Sequence, residues 1–92
     1  MGRGIRRIMS YSIYFNKHVK KFVDGLDEAQ KDRIKKKLRA LGEDPFAGDV
    51  KKVKGREGVY RLRIGNLRVL YILEQKEHAI YVVNIDKRSK IY

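Results

Sequence analysis

The sequence predicts an α+β domain: an N-terminal strand and a two-helix hairpin, then a four-stranded, mostly antiparallel sheet segment, in the order β-α-α-β-β-β-β. Three observations lead there. Apolar residues recur at helical spacing only before Gly42, alternation of period two takes over from Val50, and Gly65-Asn66 supplies a two-residue hairpin signal between alternating runs. The 92 residues suit one domain, read as 9–92, with 1–8 as a Gly/Arg-rich N-terminal extension. Apolar content of 42% is enough for a core, so the 37% of charged residues does not signal disorder.

Residues 10–15 alternate, with Tyr11, Ile13 and Phe15 on one face, and read as a strand. Asn16 is placed to cap a helix presenting Val19, Phe22, Val23 and Leu26. Gly25-Leu26-Asp27 breaks it, and Asp27 caps a second helix with Glu28 in its first turn. There Ile34, Leu38 and Leu41 form the apolar stripe, Lys31, Lys35, Lys36 and Arg39 lie outside it, and Gly42 is expected to end the helix. So short a connection favours an antiparallel hairpin. Residues 43–48 form a loop with Phe46 expected beneath it. Residues 50–53, 59–64, 67–73 and 79–85 read as strands, separated by turns at 54–58, 65–66 and 75–78. Glycine in the first position of the 65–66 pair suits a type II′ turn.

The chain carries 23 Lys+Arg against 11 Asp+Glu, a net charge of +12, and so favours an anionic partner, nucleic acid first. The absence of cysteine excludes a disulfide framework, a thiolate zinc site and a cysteine nucleophile. With His18 and His78 as the only histidines, neither a protein-held metal nor another cofactor is expected. No apolar run approaches the ~20 residues of a membrane span and no secretory pattern is visible, so a cytoplasmic domain without a membrane partner is expected.

The hairpin sorts part of this charge by geometry. A two-residue turn pairs Ile64 with Leu67, Arg63 with Arg68, Leu62 with Val69 and Arg61 with Leu70. Tyr60, Leu62 and Ile64 then share an apolar face with Leu67, Val69, Tyr71 and Leu73, which should receive the helices. Arg61, Arg63 and Arg68 share the other. Like charges at cross-strand positions are destabilising, whereas three rigid guanidinium forks on one face suit a phosphate. Residues 50–73 hold seven bases (Lys51, Lys52, Lys54, Arg56, Arg61, Arg63, Arg68) and one acid, Glu57.

Val53-Lys54-Gly55, then Tyr60-Arg61-Leu62-Arg63-Ile64-Gly65-Asn66-Leu67-Arg68-Val69-Leu70-Tyr71, and the ending Ile85-Asp86-Lys87-Arg88-Ser89-Lys90-Ile91-Tyr92 resemble the RelE/ParE toxin superfamily, its archaeal RelE-type members above all. The likeness spans residues 9–92, and Arg88 with Tyr92 fits the superfamily's Arg-x-x-x-Tyr ending. It implies a RelE-like fold and the toxin of a type II toxin–antitoxin pair. The implied activity is a metal-independent endoribonuclease that enters the ribosomal A site and cuts mRNA. There a ribose 2′-hydroxyl attacks the adjacent phosphate, leaving a 2′,3′-cyclic phosphate and a 5′-hydroxyl. By position, the resemblance puts Arg61 and Arg63 at the paired basic sites, Arg68 on the phosphate, Arg88 at the leaving group and Tyr92 beside the attacked nucleotide.

The implied partners are an acidic, wrapping RelB-like antitoxin, the ribosome and mRNA. Lys51, Lys52, Lys54, Arg56 and Lys87, with Lys35 and Lys36 on the second helix, form the wider basic set expected to meet RNA or ribosome. Relatives often have lysine at the positions of Arg61 and Arg63, and histidine at that of Lys87. Arginine keeps its proton above pH ~12, so neither arginine is a serviceable general base. The base stays open among Tyr92, Lys52, Lys54 and Lys87, or catalysis rests on positioning with water as acceptor. ParE-type relatives share the fold but poison DNA gyrase without the basic set. A non-catalytic RNA-binding module is the third reading.

Overall fold

A computed structural model of the chain describes residues 10–87. The elements run β1 (Ser12–Phe15), α1 (Lys17–Asp24), α2 (Glu28–Glu43), β2 (Asp49–Lys52), β3 (Val59–Ile64), β4 (Leu67–Glu74) and β5 (Ala79–Lys87). The expected α+β order therefore holds, with β2 displaced by one residue and β5 extended by two. All five strands form one sheet, ordered β1-β5-β4-β3-β2, antiparallel throughout except for β1 beside β5. The proposed extension at residues 1–8 lies outside the described residues.

Both helices start where a side-chain oxygen replaces a missing acceptor. Asn16 Oδ1 accepts from the Val19 amide and Asp27 Oδ1 from the Gln30 amide, each at 2.8 Å. α1 buries Val19, and α2 buries Ile34, Leu38 and Leu41, all against one sheet face. Gly42 does not end α2, which runs on to Glu43, the Asp44 amide closing on the Ala40 carbonyl. It lies buried where β1 comes closest to the helix. The Tyr11 amide donates to its carbonyl at 2.7 Å, and a Cβ at position 42 would sit 3.2 Å from the Tyr11 oxygen. Close approach, not chain reversal, accounts for this glycine.

The β3–β4 hairpin adopts the expected register, Ile64 opposite Leu67 and Arg63 opposite Arg68. Gly65 has φ +60° and Asn66 is not left-handed, as a type II′ turn demands. Leu62, Ile64, Leu67, Val69 and Tyr71 consequently face the helices. The β4–β5 ladder is less regular. Tyr71 pairs with Val82, but Leu70 pairs with Asn84, so Val83 is the extra residue of a β-bulge. Ile80 and Val82 face the core before it, and Ile85 after it. Uninterrupted alternation would instead have carried Asn84 and Asp86 inward. Asn16 ties the bulge to the α1 cap, donating from Nδ2 to the Val83 carbonyl at 3.3 Å.

Tyr71 is fully buried, and its hydroxyl donates to the carbonyl of buried Pro45. Burial chiefly, with Tyr60 and Asp44 adding to it, pushes this phenol well above the ordinary tyrosine range. Phe46 is not tucked beneath its loop. It stays 48% exposed and lies edge-on to Tyr60, 5.3 Å between centroids, because the neighbouring proline takes the buried position. No described helix is long and apolar enough to cross a membrane.

Candidate active site

Alternation on β3 and β4, with the helices committed to one face, leaves Arg61, Arg63 and Arg68 on the open face. The bulge in β5 adds Asn84 and Asp86, which pair across from Leu70 and Arg68. These elements surround a cleft of about 320 Å³ lined by Val53, Arg61, Arg68, Leu70, Asn84 and Asp86. Arg61 is half-buried here, opposite Leu70 on one side and Lys51 on the other. It has no acidic partner among the described residues. It is thus a guanidinium free to meet an anion.

Arg68 is held differently. Its Nε and Nη2 donate to Oδ1 and Oδ2 of Asp86 at 3.1 and 3.2 Å, a bidentate pair with each side chain 44% exposed. Arg63 leans away from the cleft toward Asp49 on β2, with Nε 3.2 Å from Oδ2. The crowding of Arg63 against Arg68 is therefore relieved by one carboxylate on each flank. Both acids escaped the sequence reading. Asp49 stands one residue before the basic segment, and the bulge that brings Asp86 to this face has no signature in alternation alone.

The wider basic set divides. Lys51 lies beside Arg61 on the open face, and Lys54 and Arg56 are exposed in the β2–β3 turn. Lys52 pairs with Tyr60 and Lys87 with Leu67, so both fall on the helix side at the sheet rim. Lys35 and Lys36 are exposed on α2, beyond the sheet from the cleft. Lys36 pairs with Asp32, and Lys35 borders a groove of about 450 Å³ between α2 and β1. Arg88 and Tyr92 lie outside the described residues. At the far end of the open face Tyr14 and Tyr81 stack at 5.3 Å. The hydrogen bond from Tyr81 to Glu77 raises the Tyr81 phenol above its usual range.

The chain matches the family described as "ParE toxin of type II toxin-antitoxin system, parDE" over residues 7–92, nearly its whole length. The chain belongs to this toxin family. The toxin is also 29% identical over 87 residues to a relative from Methanocaldococcus jannaschii named for toxin RelE1, covering 91% of this chain and 97% of the relative. Its fold superposes on the archaeal RelE–RelB complex of Pyrococcus horikoshii OT3 with TM-score 0.81 and 27% identity, over 90% of this chain and 100% of that one. The intact Escherichia coli RelBE complex gives TM-score 0.76 at 20% identity over 88% and 100% of the two chains, a likeness of fold. It is a RelE-type toxin of a toxin–antitoxin system, as the sequence motifs implied.

Proposed function

We propose that this toxin is a ribosome-dependent endoribonuclease that cuts mRNA in the A site and is held inactive by a RelB-like, acidic antitoxin. The observation that carries the reading is the meeting of Arg61 and Arg68 in one cleft on the sheet face that no helix covers. Arg68, held by Asp86, and Arg61, without an acidic partner among the described residues, offer a phosphodiester several donors from one cleft. Such donors stabilise the charge that builds as a 2′-hydroxyl attacks phosphorus. Arg63 and Lys51 extend the positive surface along the open face, and the net charge of +12 draws the molecule toward the ribosome. By the resemblance, Arg88 would act at the leaving oxygen and Tyr92 beside the attacked nucleotide. The antitoxin reading is supported by the RelE–RelB assembly of the Pyrococcus toxin and by the charge any partner of this chain would neutralise.

The test is cleavage of end-labelled mRNA by toxin freed from its antitoxin, with and without programmed ribosomes. Cutting should require ribosomes and leave a 2′,3′-cyclic phosphate. It should fall by ~10²–10³ in Arg68→Ala, with comparable losses in Arg61→Ala and Arg88→Ala. Full cleavage by the Arg61→Ala/Arg68→Ala double variant would overturn the assignment. The match to a family described as a ParE toxin keeps a second reading, the gyrase inhibition that the resemblance implies for ParE-type relatives. Loss of supercoiling activity with mRNA left intact would favour it.

A further inference from the structure

A guanidinium cannot take up a proton near neutral pH, so a cleft built from arginines lacks its own base. Among the side chains lining this one, Val53 and Leu70 are apolar, Asn84 is a carboxamide and Arg61 and Arg68 are cations. Among the described residues lining it, Asp86 is the one group that can accept a proton there. We propose that Asp86 is the general base that deprotonates the attacking 2′-hydroxyl, an assignment that rests on the nuclease reading above.

Position supports it. Arg68 grips Asp86 through its Nε–Nη2 edge, which leaves the Nη1–Nη2 edge to engage a phosphate oxygen. One guanidinium thus holds the base and can hold the phosphate beside it, the arrangement an in-line attack by a neighbouring hydroxyl needs. The bulge at Val83 exists at the expense of regular pairing, and its effect is to put Asp86 on the arginine face. In register with Asp86 lie Arg68 on β4 and Arg63 on β3, with Arg61 on β3 and Lys51 on β2 in the neighbouring row and Lys87, next in sequence, on the helix side. The other acid of this face, Asp49, is three strands away, ~14 Å at ordinary strand spacing, and engaged by Arg63.

The step balances without a co-reactant. The 2′-hydroxyl proton passes to an Asp86 oxygen as the 2′-oxygen bonds to phosphorus. The P–O5′ bond breaks with its electron pair on the 5′-oxygen, which takes a proton from solvent or from a neighbouring donor. Asp86 then releases its proton to water. No oxidation state changes.

The experiment compares the parent, Asp86→Asn, Asp86→Glu and Asp49→Asn in single-turnover cleavage of ribosome-bound mRNA across pH, with ribosome affinity measured separately. Asp86→Asn should lower the rate by ~10²–10⁴ and abolish the acid-side, one-proton limb of the profile, with ribosome affinity held within about twofold. Asp86→Glu should restore the limb and part of the rate. Asp49→Asn, which breaks the other ion pair of this face, should keep the limb. Circular dichroism of each variant at every pH used normalises the rates to the folded fraction, so partial misfolding cannot imitate the result. An Asp86→Asn variant that keeps the acid limb, at any rate, overturns the assignment and leaves Asp86 as a positioning residue for Arg68. A parent that cuts no mRNA at any pH overturns the nuclease reading and this assignment together.

Discussion

Replacing Tyr71 by Phe removes one oxygen from the centre of the molecule, and two properties of that oxygen set the outcome. The ring is fully buried and stacked on Tyr60 at 5.8 Å, so the substitution leaves the packing in place. The hydroxyl, however, donates to the carbonyl of Pro45, which is buried too. Stripped of its donor, that carbonyl stays dehydrated and unpaired, a loss of about 1–3 kcal/mol. At about 2 kcal/mol the melting temperature of a domain this size falls by roughly 8–16 °C.

The pH dependence gives a second readout. Folding raises the phenol's pKa above the unfolded value of 10.0, so its contribution is complete below that pH and declines as pH rises past it. The decline is at most about 1.4 kcal/mol per pH unit for one proton. Urea denaturation followed by circular dichroism should therefore show the parent ahead near neutrality and the gap narrowing above about pH 10. A variant within about 0.5 kcal/mol of the parent at neutral pH, or a gap that stays constant into alkali, would refute the reasoning. The anchored carbonyl begins the loop that feeds β2, so the same variant should loosen Lys51 and Val53 at the cleft rim.

Two further substitutions probe backbone geometry. Gly42→Ala should show none of the roughly 1 kcal/mol that alanine usually gains over glycine within a helix, because its Cβ meets the Tyr11 carbonyl. Gly42→Val should cost about 1–3 kcal/mol by the same chemical denaturation, and a stabilised valine variant would show that β1 can move aside. Deleting Val83 removes the extra residue and lets Leu70–Asn84 follow Tyr71–Val82 without a bulge, so Asn84 and Asp86 keep the open face and Ile85 the core. The deletion should therefore leave the domain folded, as should deletion of exposed Lys76 from the preceding turn, and an unfolded Val83 deletion would show that the bulge itself is required. Far-ultraviolet spectra and thermal melts of the two deletions decide it.

The fold was legible because helical and strand periods occupy different halves of the chain and the caps are explicit at Asn16 and Asp27. The hairpin register was legible for a stricter reason. Two turn residues with glycine first leave one pairing, and that pairing placed Arg61, Arg63 and Arg68 on a common face. What escaped depends on contacts between distant segments. Gly42 reads as a helix terminator until β1 is laid across it. Phe46 reads as a buried aromatic until Pro45 takes that place beside Tyr71. The arginine face reads as unrelieved repulsion until Asp49 and Asp86 arrive from the outer strands, one by register with β3 and the other by a single inserted residue. A two-residue period carries no mark of where it will slip, so the acid in the cleft could not be placed from the chain alone.

The position of β5 has a consequence for how the molecule comes into being. It follows the other four strands in chain order yet lies between β1 and β4, and among the described strands β1 pairs with it alone, Ser12 opposite Ala79. A chain growing from its N-terminus thus holds β1 with no strand neighbour until β5 has been made. Such distant pairings close slowly, and the domain cannot assemble segment by segment. The cleft takes Asn84 and Asp86 from this same strand, so a nascent chain lacks it until synthesis has passed β5. The nascent toxin is thus born without its cleft, which forms only once β5 has joined β4.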